Sequence, residues 1–446
     1  MHSKKVLLSA LVVVTGLGLA ACSSPPPQES SAAETQAFPQ FTVDATWPKP
    51  YPNKWKIGGV TGLAVDKDDN VWVYNRPNDL TSLELEAERT PPIADCCVRP
   101  PSMILIAGHD GPNYKDGEVI ASFDAPQGHG MAVDAQGNLY LGQNTVRKYD
   151  RTGKMLMEVP HIPENADGTP FTMPQIPTRV PGLGGEGPVA SFIRNLDADI
   201  KAGAGNANEQ RNTQNQLRQQ AFIAKYPPTT PMIIGGIEEI RTDDAVNEIY
   251  IADNSFGGRI MVFSLDTFEF KRGWGAYGHK LSEISTRPED HAYTPGGPMA
   301  KEFVGHLTFN FSKDGLVYAA DRAGNRIHVT DKQGKFIKEF IVAPQTGIGG
   351  STGGVAFSPD PQQRTLFISD LTNDTIWFLN RADGKVIGRM GSRGENGGQW
   401  FGLHMIAVDS QGSIYTGEVY NGERVQRFVP ADSARGKLLT QLMSLR

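Results

Sequence analysis

Short apolar runs separated by turn residues recur along most of the chain. A representative stretch, "HGMAVDAQGNLYLGQNTVRKYDRTGKML" at residues 129–156, has apolar runs on either side of "DAQGN" and a further strand-like run after it. Apolar runs of this length predict strands, and Asp, Asn and Gly between them predict tight hairpin turns. The stretch therefore predicts two successive hairpins, which together make one four-stranded antiparallel sheet.

Six related stretches occupy the body of the chain. They cover residues 61–76, 129–156, 238–275, 306–340, 353–391 and 404–429. Because a small sheet cannot bury both of its faces alone, such units pack radially, and the repeats predict an all-β fold, a six-bladed β-propeller. Residues 38–48 are predicted to supply a strand that closes the ring against the last blade.

Two segments interrupt the repeats. Residues 77–103 form a Pro-containing loop, and residues from 157 to about 236 form a long insertion between blades 2 and 3. The insertion is predicted to be partly helical, because "NANEQRNTQNQLRQQAFIAKY" is rich in helix-forming residues with little apolar surface. It is interpreted as a solvated helix or lid, or alternatively as a disordered decoration.

The first 37 residues are predicted to form an export signal and a tether. Residues 1–21 combine two lysines with an apolar stretch, and "LAAC" at residues 19–22 resembles the lipobox of bacterial lipoprotein signals. Cys22 is then the lipidated residue, residues 22–37 a disordered tether, and residues 38–446 the propeller. We expect an exported lipoprotein in the periplasm or at the cell surface, anchored to the outer membrane. The alternative is an ordinary secretory signal with an incidental cysteine.

Composition and cysteine usage narrow the partners and the chemistry. The 446 residues carry a formal net charge of −6 and no Lys or Arg run that could follow a phosphate backbone, so nucleic acid is not an expected partner. The other two cysteines, Cys96 and Cys97, are adjacent. They are interpreted as a structural vicinal disulfide, with a free pair or a transient metal contact as alternatives.

One position of the repeat carries an unusual share of the nine histidines in the chain. The residues five positions before the end of each first strand are Thr61, His129, Glu238, His306, Gly353 and His404. Equivalent positions of the inner strands converge on the propeller axis, so the three imidazoles are predicted to surround one Zn²⁺ ion with an open position. Alternatively, they are polar plugs of the channel, hydrogen-bonded to water and to each other.

The repeats resemble the NHL repeat family over about residues 55–430, for example in "AVDSQGSIYTGEVYNGERVQRF" and "DRAGNRIHVTDKQGKFIKEF". With its histidines, the chain is similar to bacterial relatives of peptidyl-α-hydroxyglycine α-amidating lyase, which are six-bladed propellers of this type. The resemblance implies a catalytic zinc on His129, His306 and His404. It also implies an active-site arginine at Arg76, in "NVWVYNR".

Two positions depart from that family. Ser255 in "DNSFGGR" stands where the lyases have an active-site tyrosine, and Met405 stands where they have an acidic residue associated with calcium. The resemblance therefore gives no support for a structural Ca²⁺, and the catalytic base must be another group. Glu238 is the predicted base, since a carboxylate near a metal can take a proton or become a fourth ligand. Alternatively, Glu238 is a channel-lining carboxylate paired with Arg241 or with another neighbouring residue.

The sequence thus predicts an exported, metal-dependent propeller enzyme of lyase type, with Arg76 and Glu238 as catalytic residues. Its substrate is predicted to be small and hydroxylated or acyl, for example α-hydroxyglycine-like. The alternative function is a non-catalytic NHL propeller that serves as a periplasmic or surface binding module.

Overall fold

Six antiparallel sheets of four strands each make up the fold. The structure is a computed structural model that describes residues 38–162, 220 and 222–444. Each sheet is called a blade, and its strands are counted outward from the propeller axis, so that the first strand of every blade is the inner strand. The predicted all-β, six-bladed β-propeller is confirmed.

Blades 1 to 3 follow one another in chain order. Blade 1 contains Gly59–Val65 (β2), Val71–Arg76 (β3), Met103–Ile106 (β4) and Val119–Phe123 (β5). Blade 2 contains Met131–Val133 (β6), Leu139–Gly142 (β7), Val146–Tyr149 (β8) and Met155–Glu158 (β9). Blade 3 contains Ile237–Asp243 (β10), Glu248–Asp253 (β11), Arg259–Ser264 (β12) and Phe270–Trp274 (β13).

Blades 4 and 5 repeat this plan, and blade 6 modifies it. Blade 4 contains Leu307–Phe311 (β14), Leu316–Asp321 (β15), Arg326–Asp331 (β16) and Phe336–Ile341 (β17). Blade 5 contains Val355–Phe357 (β18), Thr365–Asp370 (β19), Thr375–Asn380 (β20) and Val386–Met390 (β21). Blade 6 contains Leu403–Val408 (β22), Ile414–Glu418 (β23), Val425–Pro430 (β24) and, from the start of the described chain, Phe41–Val43 (β1). A helix, Ala434–Ser444 (α1), follows β24.

The predicted closing strand is present in blade 6. Strand β1 pairs antiparallel with β24, with Phe41 opposite Pro430 and Val43 opposite Phe428. Next to this pairing, the buried Arg427 donates hydrogen bonds of 2.7 Å to Asp44 and 2.6 Å to Asp116. The last blade is therefore completed by a strand from the other end of the propeller.

The inner strands surround a central axis. Each of β2, β6, β10, β14 and β18 contacts the next inner strand, and β22 contacts β2. Six apolar clusters fill the spaces between adjacent blades, one for each pair of neighbours. Each blade thus buries both of its faces, which explains why a single repeat cannot be stable alone.

The direction of the strands defines two faces. All six inner strands run the same way, so the loops that lead into them and the turns after each second strand lie on one face, which we call the upper face. The turns after each first strand lie on the lower face. Strand β1 begins on the lower face, because it runs antiparallel to β24.

Several sequence predictions fall outside the described residues. These are the signal at residues 1–21, Cys22 with the tether at 22–37, and the part of the insertion at 163–219 together with residue 221. The insertion begins slightly later than predicted, since β9 reaches Glu158 as the outer strand of blade 2. In the described part of the chain, no helix has the length and apolar character needed to cross a membrane.

Candidate metal and substrate site

The histidines of the repeat lie together with Glu238 at the upper ends of the inner strands. His306 directly precedes β14 and His129 lies two residues before β6, whereas Glu238 and His404 lie within β10 and β22. The backbone of His306 is left-handed, with φ 55°. This conformation costs a non-glycine residue roughly 1 kcal/mol or more, and such strain concentrates at functional sites.

His129 and His404 face each other through their Nε2 atoms, which are 3.2 Å apart. The Nδ1 atom of each ring contacts a backbone carbonyl oxygen. The distance is 2.8 Å between His129 and Glu238 O, and 3.2 Å between His404 and Val60 O. A carbonyl can only accept, so each Nδ1 carries the proton and donates it. Both Nε2 atoms are therefore unprotonated in the neutral rings, and two lone pairs face each other.

Both imidazoles are kept neutral by their surroundings. Burial lowers the pKa of His129 to about 4; Glu238 opposes this shift, while Arg76 and Arg322 add to it. Burial, with further contributions from His129 and Arg322, also holds the pKa of His404 well below its usual value. A proton between the two rings is thus disfavoured at neutral pH.

Glu238 brings a negative charge to the same place. One carboxylate oxygen lies 3.5 Å from His129 Nε2, and the other lies 3.3 Å from His306 Nδ1. Asn254 donates a hydrogen bond of 3.3 Å to this carboxylate and accepts one of 3.0 Å from the backbone N–H of His306. Burial opposes ionisation of Glu238, but the hydrogen bond with His306 and the charge of Arg322 hold the pKa of its carboxyl below the usual range.

The donor set fits zinc in its chemistry and in part of its geometry. Two nitrogen ligands of a tetrahedral Zn²⁺ at about 2.0–2.1 Å are separated by about 3.3 Å, close to the spacing of the two Nε2 atoms. Nδ1–H donation to a backbone carbonyl is also typical of metal-binding imidazoles. The third histidine, His306, is 49% exposed at its side chain and contacts Glu238. Across residues 38–162 and 222–444, no group of three or more His, Cys, Asp or Glu side chains has the geometry of a metal-binding site.

Two arginines flank this cluster from opposite sides of the axis. Arg76 ends β3 in blade 1 and donates a hydrogen bond of 3.3 Å to Gly128 O, next to His129. Arg322 follows β15 in blade 4, three blades away, and takes the same position after its second strand. Its Nε atom is buried without a hydrogen-bond partner among the described residues. Burial lowers the pKa of Arg322, and Glu238 and Tyr420 oppose that shift.

Arg322 was missed from the sequence, although a signal for it exists. Aligning "AADR" at residues 319–322 with "VYNR" at 73–76 places Arg322 at the position of Arg76. Only the ring arrangement shows that blades 1 and 4 lie on opposite sides of the histidines. The two guanidinium groups together provide positive charge for an anionic group at the upper mouth of the channel.

Other predicted residues have different surroundings. Arg241, one of the alternative partners predicted for Glu238, pairs with Glu239 at 2.6 Å, and the neighbours that Glu238 contacts are His129, His306 and Asn254. The hydroxyl of Ser255 is buried without a hydrogen-bond partner among the described residues. Cys96 and Cys97, in the loop after Arg76, are bonded to each other. Met405 packs in the apolar cluster between blades 1 and 6.

Comparison with known proteins finds solved structures that are similar to this chain in fold. No protein-family model and no curated protein matches the chain. A structural genomics protein of unknown function from Bacteroides thetaiotaomicron VPI-5482 is similar at 12% identity over 84% of this chain and 70% of that chain, with a TM-score of 0.44. A protein of unknown function from Bacteroides caccae is similar at 11% identity over 70% and 77%, with a TM-score of 0.37. A streptogramin B lyase is similar at 10% identity over 87% and 97%, with a TM-score of 0.43.

These likenesses carry no conclusion about the reaction of this chain, whose fold is established by its own six sheets. The resemblance to NHL repeats and to amidating lyases stays a prediction from sequence motifs.

Proposed function

We propose that the protein is a metal-dependent lyase that acts on a small hydroxylated carboxylate at the upper mouth of the propeller channel. The observation that carries this proposal is the 3.2 Å separation of the Nε2 atoms of His129 and His404, in two rings whose Nδ1 atoms each contact a backbone carbonyl. Two facing lone pairs beside the Glu238 carboxylate repel each other unless a cation lies among them. Because imidazole nitrogens and a carboxylate suit Zn²⁺, zinc is the proposed ion.

The described side chains have distinct roles in this proposal. His129 and His404 hold the ion, with His306 or Glu238 completing the set. When bound, Zn²⁺ supplies Lewis acidity toward a hydroxyl or carbonyl oxygen. Arg76 and Arg322 bind the carboxylate of the substrate from opposite sides, since a guanidinium recognises a carboxylate through paired hydrogen bonds.

The proposed reaction is cleavage of a carbinol of the α-hydroxyglycine type. The hydroxyl group loses its proton and becomes a carbonyl, and the bond from the same carbon to the amide nitrogen breaks with its electron pair. The products are an amide and glyoxylate. Export and lipid anchoring through Cys22 are part of the proposal, and the disulfide between Cys96 and Cys97 is consistent with an oxidising compartment.

Elemental analysis and a product assay test this function. We expect about one zinc ion for each purified chain, and a loss of most of it in the His404→Ala variant. His109→Ala is the matched control, because the side chain of His109 contacts backbone carbonyls of Asp68 and Asp110 on the lower face. With N-benzoyl-α-hydroxyglycine, the wild type should release glyoxylate and the His404→Ala variant should not. A metal-free wild type, or equal zinc in both variants, contradicts the proposal.

A binding module is the second candidate, and exposed apolar residues on the upper face favour it. Leu83 and Ile93, in the loop after Arg76, are 77% and 62% exposed, and Ile348 before blade 5 is 87% exposed. Exposed apolar side chains that form one patch are typical of a surface that binds a partner, and these three lie on the same face of the ring. This candidate requires that His404→Ala leaves partner binding unchanged while Leu83→Ser weakens it.

A further inference from the structure

Tyr420 lies at the upper mouth of the channel in an unusual conformation. It follows β23 in blade 6, its backbone is left-handed with φ 53°, and the residue is 43% exposed. A bulky residue in this region of φ is a genuine outlier, and outliers of this kind concentrate at binding and catalytic sites.

The ring of Tyr420 is placed beside the strand that carries His404. A Cβ atom built on Gly402, two residues before His404, would lie only 2.9 Å from a ring carbon of Tyr420. Val419 anchors the same turn by donating a hydrogen bond of 2.9 Å to Gly402 O. From this position the Tyr420 phenol acts electrostatically on the Arg322 guanidinium. Tyr420 thus lies beside the start of the strand that carries His404 and close enough to Arg322 to act on its charge.

The other groups of the cluster are poor proton carriers for a substrate. The Nε2 atoms of His129 and His404 face each other, and Glu238 is shared between His129 and His306. Glu239 is buried below the mouth and bound to Arg241. Ser255 offers only an alcohol, which is a weak acid and a weak base. A phenol can both accept and donate a proton at one oxygen atom.

We propose that Tyr420 contacts the substrate hydroxyl and transfers its proton. The inference rests on the proposed function and names the residue that moves the proton in it. The phenol oxygen accepts the proton of the carbinol hydroxyl while its own proton passes to the departing amide nitrogen. The carbonyl of glyoxylate forms as the bond between carbon and nitrogen breaks, so the phenol is regenerated and no further reactant is needed.

A binding measurement tests the contact separately from the reaction. Mandelate and phenylacetate share a carboxylate and a ring, and only mandelate has an α-hydroxyl. One hydrogen bond is worth about 1 kcal/mol, or roughly fivefold in affinity. In calorimetric titrations, the ratio of mandelate to phenylacetate affinity should fall about fivefold in the Tyr420→Phe variant. Tyr114→Phe, which removes a phenol on the lower face, should keep the wild-type ratio.

Turnover of N-benzoyl-α-hydroxyglycine tests the proton transfer. The Tyr420→Phe variant should lose about 10²- to 10⁴-fold in kcat while it keeps its zinc content and the Tyr114→Phe variant keeps full activity. An unchanged affinity ratio, or an unchanged kcat, overturns the assignment of Tyr420. If the ratio falls but the wild type releases no glyoxylate, the contact with the hydroxyl stands and the proposed reaction is wrong.

Discussion

At the scale of single residues, the candidate site is unusual because of where the protons lie. Imidazole rings often occur in protein interiors as neutral donors and acceptors in complete hydrogen-bond networks. Here the carbonyls of Glu238 and Val60 fix the protons of His129 and His404 on Nδ1, so the two remaining nitrogens meet as acceptors. Such a pair is readily explained when the rings serve a cation.

Acid should destabilise the metal-free protein through His129. Its pKa is about 4 in the folded chain and about 6.5 when unfolded, so the unfolded chain binds more protons in between. Stability is therefore complete above about pH 6.5 and falls as the pH drops toward 4, by up to about 3 kcal/mol. Urea unfolding with a chelator present should show a smaller loss in the His129→Gln variant. Parallel pH profiles for the two proteins would contradict this assignment.

At the scale of elements, acidic residues at the ends of second strands position the loops that lead to the site. Asp321, the last residue of β15, accepts hydrogen bonds from the backbone N–H groups of Val304 and Gly305, directly before His306. It also pairs with Arg326 at 2.9 Å, and both side chains are fully buried. In blade 3, Asp253 pairs in the same way with the buried Arg259.

Replacing Asp321 with Asn should therefore weaken both the fold and the site. Breaking this buried ion pair leaves the Arg326 charge only the more distant carboxylate of Glu339, at 3.6 Å, and costs about 3–5 kcal/mol. Chemical denaturation should detect this loss, and zinc affinity should fall because the loop before His306 loses its anchor. Asp314→Asn is the control, because Asp314 pairs with Arg381 on the lower face and is 58% exposed at its side chain. An equal effect of the two substitutions would show that the position of Asp321 has no special role.

The blades were predictable from the sequence, and the contacts across them were only partly so. Turn residues and apolar runs act within about ten residues, so each hairpin leaves a local pattern. The histidines could be assigned because they share one position in the repeat. Arg322 and Tyr420 belong to different blades. They lie at the same mouth of the channel only because the six blades close into a ring. The positions of the ring protons of His129 and His404 depend on backbone carbonyls of neighbouring blades. A local sequence pattern cannot predict these contacts.

At the scale of the whole molecule, the proposed metal joins parts of the ring that are far apart in the chain. His129 and His404 belong to blades 2 and 6 and are 275 residues apart. An ion held by both binds the folded chain and has no preformed site in the unfolded one, so it stabilises the ring by mass action. At a free zinc concentration 100 times the Kd, the gain is about 2.7 kcal/mol.

Zinc should accordingly raise the thermal unfolding midpoint of the metal-free protein by several degrees. Differential scanning calorimetry with and without added zinc measures the shift, and the His404→Ala variant should show little of it. Magnesium is the control ion, because it prefers six oxygen ligands and fits this donor set poorly. Equal shifts with zinc and magnesium would indicate a general salt effect.

The strand that closes blade 6 also constrains when the protein can finish folding. Asp44 and Arg427, which meet beside the pairing of β1 with β24, are 383 residues apart. Contacts over such separations form slowly, and β1 leaves the ribosome long before its partner β24. Until the two pair, both strands expose unpaired backbone edges that can join other chains. We expect the nascent chain to depend on a chaperone that shields these edges until the ring is shut.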